Sequence, residues 1–179
     1  NTVVHVHAGD NEAGAYITMA DIDMLSRKTP VLCKVAPKSH YHSEDVNRAG
    51  GILSIMKILA ENDLIDTSVN RVDGMSLQQA IDRYAVGGKD YTDEADKLWH
   101  CAPGRKHTTE MGSQDSPYAE LDTDRPPGCI PHMEHAYFKA GRLAVLKGNI
   151  ALDGCAGPPS RGDASLIQFP GPATVFPTQ

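Results

Sequence analysis

The sequence predicts an α/β fold followed by an all-β segment, on three observations. Strand-like and helix-like stretches alternate through about the first hundred residues. A polar, irregular run from Gly87 to Arg125 comes next. The remaining residues are rich in Pro and Gly and hold short strand-like pieces. This shift in composition predicts a domain boundary near residues 125–142. No internal repeat is present.

The opening "TVVHVHAG" alternates and is β-branched, so its local pattern is that of a strand bounded by Gly9 and Gly14. "TMADIDMLSRK" is helical: Thr18 caps it, Asp21 follows three residues later as in a capping box, and Met19, Ile22 and Leu25 fall at helical spacing. Pro30 stops it. "PVLCKVAP", an apolar run between two prolines, reads as a strand. "SEDVNRAGGILSIMKILAEND" reads as one helix capped by Ser43. Glu44 and Asp45 lie in its first turn, and Val46, Ile52, Ile55, Met56 and Leu59 form its apolar face. The Gly50-Gly51 pair inside it costs about 1 kcal/mol per Gly relative to Ala, so a neighbour that needs close approach is expected there. "TSVNRVDGMSLQQAIDRYAV" predicts a short strand, a turn at Asp73-Gly74 and a helix capped by Ser76. A short helix is expected at "DEADKLW". "RLAVLKG" is a good strand, and "SLIQF" and "ATVF" are strand-like.

Composition narrows the functional classes. The 179 residues are 40% hydrophobic and 22% charged, with net charge −6, ordinary for a globular protein. The acidic balance argues against a nucleic-acid surface, which needs clustered Lys and Arg. No apolar run approaches the ~20 residues of a membrane span, and no secretory pattern opens the chain. The absence of an initiator Met leads us to expect that Asn1 is not the natural start. Cys33, Cys101, Cys129 and Cys155 make no C-x-x-C pair, so reduced thiols in a cytoplasmic protein are expected.

Candidate chemistry is sparse. His5 and His7 form H-x-H, which on a strand would face one side and could share a metal, but no third ligand is well spaced. His40 and His42 repeat the pattern before a helix, where a polar loop explains them equally well. Glu120 to Arg125, "ELDTDR", packs three carboxylates that could do acid–base work or make a solvated turn. Glu134 and His135 point to different sides of a helix and make no dyad. Arg161 to Asp163 spell the adhesion tripeptide, a chance match in a chain without secretory features. No phosphate loop or nucleophile elbow appears.

Several separated blocks carry a resemblance. "ADIDMLSRKTPVLCKVAPKSHYHSEDVNRAGG", "SQDSPYAELDTDRPPGCIPHMEHAYFKAGRLAVLKGNIALDGC" and "SLIQFPGPATVF" resemble, in order, the dihydroxy-acid/phosphogluconate dehydratase family. They look more like its dihydroxy-acid branch, of valine and isoleucine synthesis, than its sugar-acid branch. The similarity runs from about Thr18 to Phe176 and is weakest over Gly87 to Cys101. It implies that residues 1–125 close an N-terminal α/β domain with its linker, and that 126–179 begin a C-terminal β-barrel domain. It implies a helix, not a strand, over residues 1–7, with "NTVVH" continuing a Ser-Thr-Asn motif.

The resemblance also implies a chemistry: a hydro-lyase that removes water from a 2,3-dihydroxy acid to give a 2-oxo acid. An iron–sulfur cluster acts on the departing C3 hydroxyl, Mg2+ holds the carboxylate and C2 oxygen, and a serine alkoxide takes the C2 proton. The family's cluster cysteines, magnesium aspartates and modified lysine fall before Asn1, and its magnesium glutamate and serine base after Gln179. No catalytic, cofactor-binding or metal residue is therefore carried over to this chain, which is expected to be an internal, inactive segment. Cys33, Cys129 and Cys155 fit family-like blocks that are not cluster motifs. The apolar face of Val46, Ile52, Ile55 and Leu59 is expected to lack partners in the segment alone. A homodimer and a small dihydroxy-acid substrate are implied. Where the family has a Lys-Thr-Ala-Gly step, this chain has "AGPPSRGDA" (156–164), whose prolines and glycines disfavour a central strand. Two alternatives stand beside this reading: a sugar-acid dehydratase of the same family, and a non-catalytic, metal-binding domain using His5, His7, His40 and His42.

Overall fold

A computed structural model describes residues 2–101, 118–126, 128–157, 170–172 and 174–175. Among these, the helices are α1 (Thr2–Ala13), α2 (Met19–Lys28), α3 (Ser43–Arg48), α4 (Gly51–Ala60), α5 (Leu77–Tyr84) and α6 (Asp93–His100). A 3-10 turn at Met133–His135 follows, then β1 (Ala144–Gly148) and β2 (Ala151–Gly157). The α/β class predicted from sequence holds. None of these helices is long and apolar enough to cross a membrane. The chain divides into two units: residues 1–27 with 141–179, and residues 28–140.

In the first unit, α1 replaces the strand that the local pattern of residues 2–8 suggests, and agrees with the helix implied by the resemblance. Period-2 alternation specifies a strand only where a sheet edge is there to pair with it. A helix satisfies its own backbone, and propensity is a weak prior against it. Gly14, at φ 66°, ends α1. Thr18 then starts α2 as expected. Its hydroxyl accepts from the Asp21 amide (3.2 Å), and the Asp21 carboxylate accepts from the Thr18 amide (2.8 Å) and hydroxyl (2.6 Å).

The side of α2 near its C-terminus holds the chain that enters β1. The Gly141 amide donates to the Ser26 carbonyl (2.7 Å), the Leu143 amide to Ser26 Oγ (3.2 Å) and the Val145 amide to Asp23 Oδ1 (3.3 Å). A Cβ on Gly141 would lie 2.6 Å from the Ser26 carbonyl oxygen, so only glycine fits. β1 and β2 form an antiparallel hairpin that pairs Leu146 with Cys155 and Gly148 with Ala151. Between these pairs the ladder is irregular, and Gly154 at φ 87° absorbs the bulge. The pieces "SLIQF" and "AGPPSRGDA" fall largely or wholly outside the described residues.

The second unit packs α3 to α6 with two irregular segments. Its core is Leu32, Ala49, Ile58, Cys129 and Ile130, flanked by Cys33, Tyr41, Val46, Ile55 and Leu59. Val46, Ile55 and Leu59 thus find partners within the unit, contrary to expectation, while Ile52 stays 60% exposed.

The helix expected over 43–63 is broken. Gly50 (φ 90°) and Gly51 (φ 61°) separate α3 from α4, and His42, not Ser43, is the N-cap of α3. The expected close neighbour is present: a Cβ on Gly51 would meet the Trp99 ring of α6 at 2.8 Å. The Trp99 indole in turn donates to the Tyr84 carbonyl (2.6 Å).

"PVLCKVAP" forms a single bridge, Val31 to Phe138, instead of a strand. Flanking prolines interrupt the ladder on both sides. "TSVNRV" likewise contributes only the Asn70–Ser76 bridge. The turn at Asp73-Gly74 and the Ser76 cap are as predicted, with the Ser76 hydroxyl accepting from the Gln79 amide and the Gln79 side chain accepting from the Ser76 amide. The "DEADKLW" helix is α6, capped by Thr92.

Candidate functional site

The densest gathering of chemistry-bearing side chains lies in the second unit, where residues from three separated segments meet. The Asp122 amide donates to the Arg48 carbonyl (3.0 Å), which fixes the chain beside α3. The Asp122 carboxylate then accepts from the Cys129 amide (3.2 Å). Arg125 donates to the carbonyls of Ala49 and Ile130, both at 3.2 Å, and to Ser54 Oγ at 3.5 Å. Ala49 is the C-cap of α3, so the guanidinium sits where the helix dipole is negative. Burial lowers the Arg125 pKa, and the carboxylates of Asp122 and Glu61 oppose that shift.

Two thiols complete the gathering. Cys129 is fully buried and Cys33 partly so. Cys33 packs against the core cluster that contains Cys129. Burial pushes Cys129 up to about 12, with the neighbouring Cys33 adding to the shift. Burial also raises Cys33, partly offset by the neighbouring Cys129. Tyr41 and Tyr137 lie close by, each raised chiefly by burial. Lys34 Nζ stands 5.1 Å and 5.0 Å from the ring centroids of Tyr137 and Phe138. Neutral thiols and phenols in an apolar core are neither nucleophiles nor metal ligands at rest. What this gathering does is hold the irregular segments 31–36 and 118–138 against α3 and α4.

A second feature lies in the first unit: a groove of about 570 Å³ lined by Asp10, Tyr16, Thr18, Lys147 and Asp153 among others. Asp10 Oδ2 accepts from the Ile17 amide (2.8 Å). Its Oδ1 is buried without a hydrogen-bond partner among the described residues.

The sequence candidates scatter. Positions 5 and 7 fall on a helix, about 200° apart around its axis, so the shared face that H-x-H would have on a strand is lost. His40 stacks on Tyr41, with ring centroids 4.1 Å apart. His42 caps α3, its amide donating to the Asp45 carboxylate (2.7 Å). In "ELDTDR", Glu120 is exposed while Asp122 and Arg125 turn inward as structural clamps. Glu134 and His135 sit in the 3-10 turn. Arg161 to Asp163 lie outside the described residues. No group of three or more His, Cys, Asp or Glu fit to hold a metal occurs among the described residues. Sequence reasoning missed the shared packing of Cys33 and Cys129 and the inward turn of Arg125, because no local pattern links residues so far apart in the chain.

A family model described as "Dihydroxy-acid/6-phosphogluconate dehydratase N-terminal" matches residues 1–80. Over those residues, which include α1 to α4, the chain is similar to the N-terminal domain of that family. The match covers fewer than half of the 179 residues and distinguishes no substrate.

Proposed function

We propose that this chain is part of a hydro-lyase that dehydrates a 2,3-dihydroxy acid to a 2-oxo acid in valine and isoleucine synthesis, acting as a cytoplasmic homodimer. The single observation that carries the reading is the family match over residues 1–80. The sequence blocks around Cys33 and from Ser113 to Cys155, which resemble the dihydroxy-acid branch, favour that substrate over a sugar acid. On this reading residues 1–125 close an α/β domain and 126–179 begin a β-barrel domain.

An iron–sulfur cluster and Mg2+ belong to the proposal, and the described residues do not fit either one. Burial of Cys33 and Cys129 disfavours their thiolates, whereas cluster iron is held by thiolates. Cys101 donates its thiol to the Lys97 carbonyl. The carboxylate of Asp122 is engaged by a backbone amide. No catalytic step is assigned to residues of this chain; they build scaffold.

The test is turnover by the intact protein, with cluster and Mg2+ supplied, on 2,3-dihydroxy-3-methylbutanoate and on 6-phosphogluconate, read as 2-oxo acid formed. Preference for the branched diol acid is the expected result. Preference for 6-phosphogluconate overturns the substrate, and turnover of neither overturns the dehydratase reading.

A further inference from the structure

We propose that Asp153–Gly154 is a modification site at which the chain isomerises to isoaspartate, and whose product is a substrate for a protein isoaspartate methyltransferase, while the same dipeptide at Asp73–Gly74 is held inert. Asp-Gly occurs twice in the chain and Asn-Gly not at all. Glycine after an aspartate leaves its amide nitrogen unshielded by a side chain, so these are the two steps where that nitrogen most readily attacks the carboxyl carbon before it. Both aspartates are exposed, so access to water does not separate them. Their bonding separates them instead.

At Asp73 both reacting groups are tied. The carboxylate accepts from Arg71 Nε (3.1 Å) and Nη2 (2.8 Å) and from the Met75 amide (3.1 Å). The Gly74 amide, which would have to attack, donates to the Arg71 carbonyl (3.1 Å). Among the described residues no partner bonds the Asp153 carboxylate. The hairpin pairs Leu146 with Cys155 and Gly148 with Ala151, so residues 152–154 bulge opposite Lys147 and Gly154 stands outside the paired positions. Gly154 sits at φ 87°, and the atoms nearest to a Cβ there would be 3.5 Å or more away, which leaves the main chain room to close into a ring.

The reaction needs no reagent besides water. The Gly154 nitrogen bonds to Asp153 Cγ, and its proton and the carboxyl OH leave as water, giving a cyclic succinimide. Water then adds to one of the two imide carbonyls. Addition at Cγ restores aspartate. Addition at the Asp153 main-chain carbonyl breaks its bond to nitrogen, so the chain runs on through the side chain and the α-carboxylate is freed. Nothing is oxidised or reduced. The product has one extra methylene in the main chain ahead of Cys155, which puts the Leu146–Cys155 pair out of register. The freed α-carboxylate is the group that an isoaspartate methyltransferase esterifies.

The experiment holds the native protein warm near neutral pH, samples it over weeks, and maps the peptides by chromatography and mass. Isoaspartate is read as a resolved peak of unchanged mass, and the succinimide as a peptide one water lighter. The expected result is isoaspartate accumulating at Asp153 at least about tenfold faster than at Asp73, the factor that one charge-assisted hydrogen bond is worth. In urea the two sites should react at similar rates, which ties the difference to the fold. Arg71→Ala should speed Asp73 and leave Asp153 as it was. An isoaspartate methyltransferase with a labelled methyl donor should mark the aged Asp153 peptide and not the fresh one. Normal aspartate at Asp153 throughout, equal rates at the two sites in native protein, an Asp73 that stays inert in Arg71→Ala, or an aged Asp153 peptide that takes no label overturns the inference. Should Arg71→Ala fail to fold, the native and urea maps of the wild type still decide it. The outcome is independent of which acid the enzyme dehydrates.

Discussion

The carboxylate of Asp23 accepts a hydrogen bond from the amide of Val145, 122 residues away in the chain, at 3.3 Å. The same carboxylate pairs with Arg27 at 2.7 Å, one turn on along α2. A side chain on a short helix thus joins α2 to the hairpin of its unit. The Arg27 hydrogen bond, and after it the Val145 amide, hold the Asp23 pKa below the ordinary aspartate value.

That shift carries a sign. A carboxylate whose pKa is depressed on folding adds stability above its unfolded pKa, which is about 3.9. The contribution fades as pH falls through the folded value. Asp23→Asn should lower the thermal midpoint near neutral pH and leave it unchanged in strong acid. Scans of both proteins from neutral to acidic pH check this; an equal loss at every pH would contradict it.

Gly51 should not tolerate a side chain. Its φ is 61° and a Cβ would press on Trp99. Gly51→Ala is expected to cost about 2 kcal/mol or more, combining left-handed strain with overpacking. Urea unfolding followed by fluorescence of Trp99, the one tryptophan in the chain, measures the cost and should show an altered native emission.

Arg125→Ala leaves the carbonyls of Ala49 and Ile130 without their donor, an expected loss of about 3 kcal/mol. Arg125→Lys should recover only part of it, because an ammonium cannot reproduce the planar fork. The difference in urea midpoint between the two variants is the measurement.

Ser76→Ala removes the reciprocal cap of α5 and should cost about 1 kcal/mol, while Ser76→Asp should be nearly neutral. Chemical denaturation of both variants separates a cap from a residue that merely fills space.

With its pKa pushed up to about 12, Cys129 should resist iodoacetamide up to alkaline pH, whereas Cys155, exposed on β2, reacts at once. Timed alkylation with peptide mapping checks the order, and labelling of Cys129 alongside Cys155 in native protein would refute it.

Elements with local signals were legible in the sequence. Thr18 with Asp21, Ser76 with Gln79, and Thr92 ahead of "DEADKLW" each start a helix through bonds spanning three residues. The "RLAVLKG" strand pairs with the next run across a two-residue turn. Features that depend on distant partners were not legible. Residues 2–7 alternate like a strand but pair with no strand among the described residues and form α1 instead. The helix expected over 43–63 breaks at Gly50-Gly51, and the Trp99 ring, nearly fifty residues on, lies where a Cβ on Gly51 would fall. The 120–125 run reads as solvated charge, yet Arg125 bonds groups 71 and 76 residues away. Hydrophobic periodicity does not encode such pairings.

The hydrogen bond from Gly141 to the Ser26 carbonyl has a topological consequence. The chain leaves the first unit after Arg27 and rejoins it beside the residue it has just passed. Lys28 to Ala140 are thus a cassette inserted into a host whose cut ends are already stitched together. A short linker from Arg27 to Gly141 would restore a continuous host without stretching it. Insertions are tolerated best where the ends of the host chain lie close together, as Ser26 and Gly141 do here.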